Sequence, residues 1–179
     1  MNDGTTTSAD EQPPLTAQRL HPLESSDLPF FRSLAQDERV TRYVGDGVPW
    51  SDEFVRSRFD DALGGGGPDR EVRWYIAESD TTGRLGLLAL TKRPSEIEIG
   101  YWIAPARWGE GHATRLLTYG LRLARQRKPD SPVVAHVHRD NTASRRLLEH
   151  AGFTIADPDK TGNSTEVTYL KYGSSESRV

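Results

Sequence analysis

The chain contains no cysteine. That absence excludes disulfides, cysteine-ligated zinc and any route through a cysteinyl acyl-enzyme, because each needs a thiolate. It has no run of about twenty apolar residues, the length a membrane-spanning helix requires, and no charged-then-apolar leader. The expectation is a cytoplasmic protein without membrane contact. Nor does one charge dominate: 23 Lys and Arg against 26 Asp and Glu leave a net charge of −3 with the signs interspersed, which provides no broad basic field for nucleic acid. Hydrophobic residues make up only 35%, a figure diluted by polar ends. The 179 residues suffice for one compact core and leave no space for a second domain of ordinary size. Residues 1–18 are polar and aperiodic, and 174–179 read the same way; both are expected to be disordered tails around a single domain over 19–173.

Between these tails the pattern alternates strand and helix. A first strand fits 19–23. Ser26 and Asp27 then cap a helix to about Gln36, and a second helix starts at Ser51, where a hydroxyl and the carboxylates of Asp52 and Glu53 suit the positive end, and runs to about Leu63. The glycine run at 64–67 lacks the Gly-Lys-Ser/Thr of a phosphate loop and precedes a hairpin, so it reads as a flexible connector. Strands at 72–78 and 84–91 are joined by a turn at 80–83. A helix over 114–127, a strand over Val133–His138, a helix starting at Asn141 and a last strand over Glu166–Lys171 complete a mixed α/β domain without internal repeats.

The richest segment is 98–113, E-I-G-Y-W-I-A-P-A-R-W-G-E-G-H-A. Ile97, Ile99, Tyr101 and Ile103 alternate with Glu96, Glu98, Gly100 and Trp102 at the strand period of two, Pro105 ends the ladder, and a helix follows. Gly109 and Gly111 fall in the turn between. A helix N-terminus offers free N–H groups and roughly half a positive charge, and glycine lets phosphate oxygens approach the backbone. A tight glycine turn without a ligand is the competing reading. About thirty residues on stands N-T-A-S-R-R-L-L-E-H-A-G-F, from Asn141 to Phe153.

Together the two segments resemble the GCN5-related N-acetyltransferase (GNAT) superfamily, and more closely its branch similar to ribosomal-protein alanine N-acetyltransferases. That branch typically shows G-Y-W followed by W-G-x-G-Y-A; this chain has Gly100-Tyr101-Trp102 and Trp108-Gly109-Glu110-Gly111-His112-Ala113. The resemblance covers roughly 19–173. It implies an α/β fold with a mixed, mostly antiparallel central sheet flanked by helices. The fourth and fifth strands, 98–104 and Val133–His138, are expected to splay apart around the pantetheine arm of acetyl-CoA. A bulge at Trp102, Ile103 and Ala104 would free a main-chain N–H for the thioester carbonyl, and the amides of Trp108, Gly109, Glu110, Gly111, His112 and Ala113 would hold the pyrophosphate, flanked by Arg107 and Arg115.

The implied activity is N-acetylation of a primary amine, on a peptide or protein N-terminus or on a small molecule, by direct attack in a ternary complex. A catalytically weak CoA-binding sensor or partner protein of the same fold is the alternative. An alkylamine titrates near 10.4, so a base must remove its proton at neutral pH. Glu98 is the first candidate, with Glu96 and His138 behind it. Where the superfamily often has a tyrosine four residues after Ser144, this chain has Leu148; the resemblance then implies Ser144 as the candidate to protonate the departing sulfur, and a hydroxyl bonded to its own helix backbone is the competing reading. Asn141 can cap its helix and reach the pantetheine amides. His136 and His138 share one strand face, but no third ligand accompanies them and no metal is expected. Tyr43, Asp46 and Trp50 are the candidates for an acceptor pocket. A homodimer is left open.

Overall fold

The computed structural model describes residues 18–156 and 165–173. The tails expected at 1–18 and 174–179 lie outside them, except for Gln18, which opens the first strand. A mixed eight-stranded sheet runs through the molecule: β1 (Gln18–Pro22), β2 (Gly66–Gly67), β3 (Arg70–Ser79), β4 (Gly83–Lys92), β5 (Ile97–Ile103), β6 (Val133–His138), β7 (Thr154–Ile155) and β8 (Glu166–Lys171). The order is β1-β3-β4-β5-β6-β8-β7, with β2 attached to β3. Every pairing is antiparallel except β5 with β6.

Helices cover both faces. On one face lie α1 (Leu28–Ala35), the single turn α2 (Glu38–Thr41) and α3 (Asp52–Leu63); Phe31, Leu34, Val55 and Phe59 pack there on Val72, Trp74, Ile76 and Leu87. On the other lie α4 (His112–Arg127) and α5 (Thr142–His150), with Leu116, Leu117, Ala124 and Leu148 packed on Leu88, Leu90, Ile97 and Ile99. Each Val, Leu, Ile and Phe among them contributes roughly 1.5–3 kcal/mol when it leaves water. The alternation of β3 and β5 therefore feeds two cores, one on each side of the sheet.

The caps explain where the helices begin. Ser51 Oγ accepts from Phe54 N, as its place before Asp52 and Glu53 suggests. Asp27 behaves differently from the expectation: its carboxylate turns back to accept from Glu24 N and pairs with Arg84, so it ties the helix entry to β4 instead of capping α1. The glycine run is not a flexible connector either. Gly66 and Gly67 pair with Glu71 and Arg70 as a tight hairpin, and a Cβ on Gly66 would meet Arg70 O at 2.1 Å.

Two register features position the site. Strands β5 and β6 pair only at Ile97–Val133 and Glu98–Val134, and beyond those residues they diverge. No bulge interrupts β5, contrary to the expectation at Trp102, Ile103 and Ala104: its register with β4 is unbroken through Ile103, and Ala104 N donates to Leu85 O. The irregularity in the β3–β4 hairpin lies instead at Ala77 and Glu78.

Candidate active site

The divergence of β5 and β6 opens a cavity of about 850 Å³. Main-chain geometry determines what β5 presents to it. Ile97 N donates across to Pro132 O on the β6 side, whereas Ala104 N points to β4. Successive residues of a strand alternate in the edge to which their N–H and C=O point. Tyr101 and Ile103 therefore turn these groups toward the gap, and the Trp102 amide turns toward Leu87 on β4. The gap-facing amides arise from splaying, not from a bulge, and they belong to neighbours of Trp102. The indole Nε1 of Trp108 donates to Ile103 O at 2.8 Å, which leaves the Ile103 N–H as the group of that residue presented to the cavity.

The cavity's second wall is the start of α4. Gly109 and Gly111 adopt positive φ, 82° and 77°, and a Cβ on either would meet nothing within 4 Å, so the backbone there is bare. The first helical bond runs from Arg115 N to Gly111 O, leaving the earlier amides of α4 directed at the cavity mouth. His112 is buried against the turn, bonded through Nε2 to Glu110 Oε2 at 3.0 Å, with Nδ1 facing Gln18 Oε1 at 3.2 Å and Arg115 Nη1 at 3.4 Å. Glu110 is thus a brace for His112, outside the cavity lining, and Arg107 leans on Glu110 at 3.9 Å while lining the cavity.

The third wall is α5. Asn141 Oδ1 accepts from Ser144 N at 3.1 Å and caps the helix, and Asn141, Ser144 and Leu148 all border the cavity. Opposite them stands Tyr101, whose hydroxyl is buried without a hydrogen-bond partner. Burial pushes this phenol above its ordinary value, with the adjacent Ser144 hydroxyl pulling it back; the two groups are neighbours that do not close a hydrogen bond of good geometry. In the sequence Tyr101 stood as a strand residue and as the middle of the Gly100-Tyr101-Trp102 motif, without a role of its own. The signal for a further role was its polar group at an otherwise apolar period.

A smaller cavity of about 390 Å³ lies on the α1 and α3 face of the sheet, and the two share Val44, Gly100, Tyr101 and Trp102. Trp50, Phe54, Trp74 and Trp102 contribute its aromatic wall; Trp50 packs edge-on against Phe54 and Trp102 with centroids 4.7 and 5.2 Å apart. Trp102, stacked on Phe31, is the partition between the cavities.

The remaining sequence candidates divide. Ile103, Trp108, Gly109, Gly111, His112 and Ala113 meet Asn141 and Ser144 around the larger cavity, and Tyr43 joins them from the loop after α2, its ring 5.6 Å from that of His138. Ala104, Asp46 and Glu98 line neither cavity. Asp46 Oδ1 accepts from Val48 N and closes its own turn. Glu98 lies one strand step from Gly100 on the face of Trp102, with its carboxylate held by Arg93 at 3.0 Å. His136 is exposed and bonded to Thr168 Oγ1. No helix among the described residues is long and apolar enough to cross a membrane.

Comparison with known proteins agrees with this geometry. Residues 19–154 match the model of the acetyltransferase (GNAT) domain. An uncharacterized N-acetyltransferase of Bacillus subtilis (strain 168), YoaA, is 33% identical over 127 residues, spanning 69% of this chain and 71% of that protein. Among solved structures, the RimL ribosomal L7/L12 alpha-N-protein acetyltransferase in complex with coenzyme A superposes with a TM-score of 0.72 at 18% identity, covering 90% of this chain and 97% of that one. The spermidine N-acetyltransferase from Vibrio cholerae, in complex with CoA and spermine, gives 0.69 at 18% identity over 86% and 92%. At such identities the structures establish a shared fold.

Proposed function

Because the chain belongs to the GNAT acetyltransferase family, an N-acetyltransferase with acetyl-CoA as cosubstrate, we propose that the gap between β5 and β6 receives the pantetheine arm and that the acceptor amine approaches through the aromatic cavity on the other side of Trp102. The single observation carrying this reading is that the two cavities meet only around Val44, Gly100, Tyr101 and Trp102. A thioester at the end of the gap would lie there within reach of an amine from the opposite face. Acetyl-CoA supplies an activated acyl group and a sulfur leaving group. The chain supplies the rest.

Amides at the α4 start would hold the pyrophosphate, with Arg107 beside them. The Tyr101 and Ile103 amide edges would take pantetheine hydrogen bonds and stabilise charge on the thioester oxygen; one such donor contributes a few kcal/mol, about 2.7–4 where an oxyanion-hole donor has been removed elsewhere. The amine nitrogen forms its bond to the acyl carbon, the carbon–sulfur bond breaks, and the sulfur takes a proton from Ser144, with the unpartnered Tyr101 hydroxyl beside it; the nitrogen's second proton, released as the amide forms, passes through water and restores the Ser144 hydroxyl. Glu98, one step along the acceptor face from Gly100, would draw the ammonium proton through water. Solved relatives of the fold act on a ribosomal protein and on spermidine, and either a peptide N-terminus or a small amine fits this machinery.

Calorimetric titration with acetyl-CoA, free CoA and ATP tests the assignment. Micromolar binding selective for the CoA pair is expected, together with its loss in Gly111→Val, whose side chain would project into the space the phosphate needs. Retained affinity in a folded Gly111→Val protein would remove the pyrophosphate from that turn.

A further inference from the structure

The acceptor cavity is unlike a polyamine site. Its wall is Trp50, Phe54, Trp74 and Trp102, and among the described residues no carboxylate lines it; its one charged lining group is Arg58. A second ammonium entering this space would meet the like charge of Arg58 with no carboxylate in the lining to pair with it, and attraction to the ring faces is the one contact left to offset its lost hydration. Arg58 also has bonding capacity to spare. Its nearest acid, Asp61, lies 3.7 Å away, and both oxygens of that carboxylate already accept from Arg70, at 2.7 and 2.8 Å. Phe54, one turn of α3 before Arg58, is 47% exposed, an apolar ring at the rim of an apolar cavity. The volume, about 390 Å³, is within the small-molecule range.

Resting on the acetyltransfer reading, we infer that the acceptor is a primary amine carried on an aromatic or apolar body that also bears a carboxylate, and that Arg58 receives this carboxylate while the amine reaches Gly100 on β5. Arginine and carboxylate match in charge and in fork geometry. The aromatic walls then recognise the body, and the single cation excludes acceptors with a second positive charge.

The experiment compares kcat/KM of the full chain, at saturating acetyl-CoA, for 4-(aminomethyl)benzoate, benzylamine and spermidine, together with calorimetric titration of each into the CoA-loaded protein. The carboxylated amine should lead benzylamine at least tenfold, with spermidine last. Arg58→Met should collapse that lead, and Arg58→Glu should place benzylamine ahead of the carboxylated amine. Spermidine leading, an equal loss on all three amines in the Arg58 variants, or a CoA-loaded protein that neither binds nor turns over the carboxylated amine would overturn the inference while leaving the cofactor site intact. Failure to bind acetyl-CoA at all would instead remove the acetyltransfer reading beneath it.

Discussion

Tyr101 sits where the period of β5 turns a side chain toward α5, and its hydroxyl is buried beside Ser144 without a partner of its own. A buried polar group without a partner costs free energy, so an approaching ligand that accepts a hydrogen bond removes a penalty already present. Because burial raises the phenol above its ordinary value, it stays protonated, hence a donor, across neutral and mildly alkaline pH. Ser144→Ala is expected to lower kcat on the order of 10²-fold, the low end of general acid–base catalysis, and Tyr101→Phe to lower it less, with acetyl-CoA affinity nearly unchanged in both. Steady-state rates beside calorimetry separate the two effects; unchanged kcat in both variants would return sulfur protonation to solvent. Glu98→Gln should reduce kcat alone if water relays the amine proton to it, and an unaffected rate would move that role to His138. The superfamily's usual tyrosine position holds Leu148, which is fully buried in the core.

At the scale of elements, the placement of α4 depends on one glycine. A Cβ on Gly120 would meet Ile99 Cδ1 at 2.4 Å and Leu88 Cδ1 at 2.9 Å, so the helix rides closer to β4 and β5 than any other residue would permit. Replacing glycine with alanine in a helix normally stabilises by up to about 1 kcal/mol, while overpacking a core costs about 1–3. Gly120→Ala is therefore expected to be net destabilising by about 1 kcal/mol in denaturant melts and to weaken acetyl-CoA binding by tilting the α4 N-terminus. A more stable variant with full affinity would show that the Ile99 and Leu88 side chains rotate away freely. The same element shows why boundaries are hard to read from composition. The helix expected over 114–127 begins two residues earlier, at His112, because the αL conformation of Gly111 and the Glu110–His112 bond start it there.

For the whole molecule, α4 is tied to the sheet through charge as well as packing. Glu71 on β3 receives Arg73 at 3.1 Å, Arg127 from the last turn of α4 at 3.2 Å and Lys92 from β4 at 3.8 Å. The hydrogen bond from Arg73, aided by the other two cations, lowers this carboxyl from its ordinary 4.5. A depressed carboxyl contributes stability that is present above its unfolded value and lost as pH falls through the folded one. Glu71→Gln should thus lower Tm at pH 7 and converge with the parent protein as the pH drops below about 4.5. An equal Tm deficit at pH 7 and pH 3 would mean that the side chain acts through packing, not charge.

The sequence alone determined the alternating strands, the Ser51 and Asn141 caps, the glycine turn before α4 and, through these, the family, because each rests on a local rule acting over a few residues. Tertiary structure decided what depends on neighbours distant in the chain. It set the edge of β5 that faces the gap, turned Asp27 toward Arg84 and assembled Trp50, Phe54, Trp74 and Trp102 into one wall. Periodicity specifies which side chains share a face. It cannot specify which element that face will meet, since the burial and charge pairing that choose among partners exist only once the strands are in register.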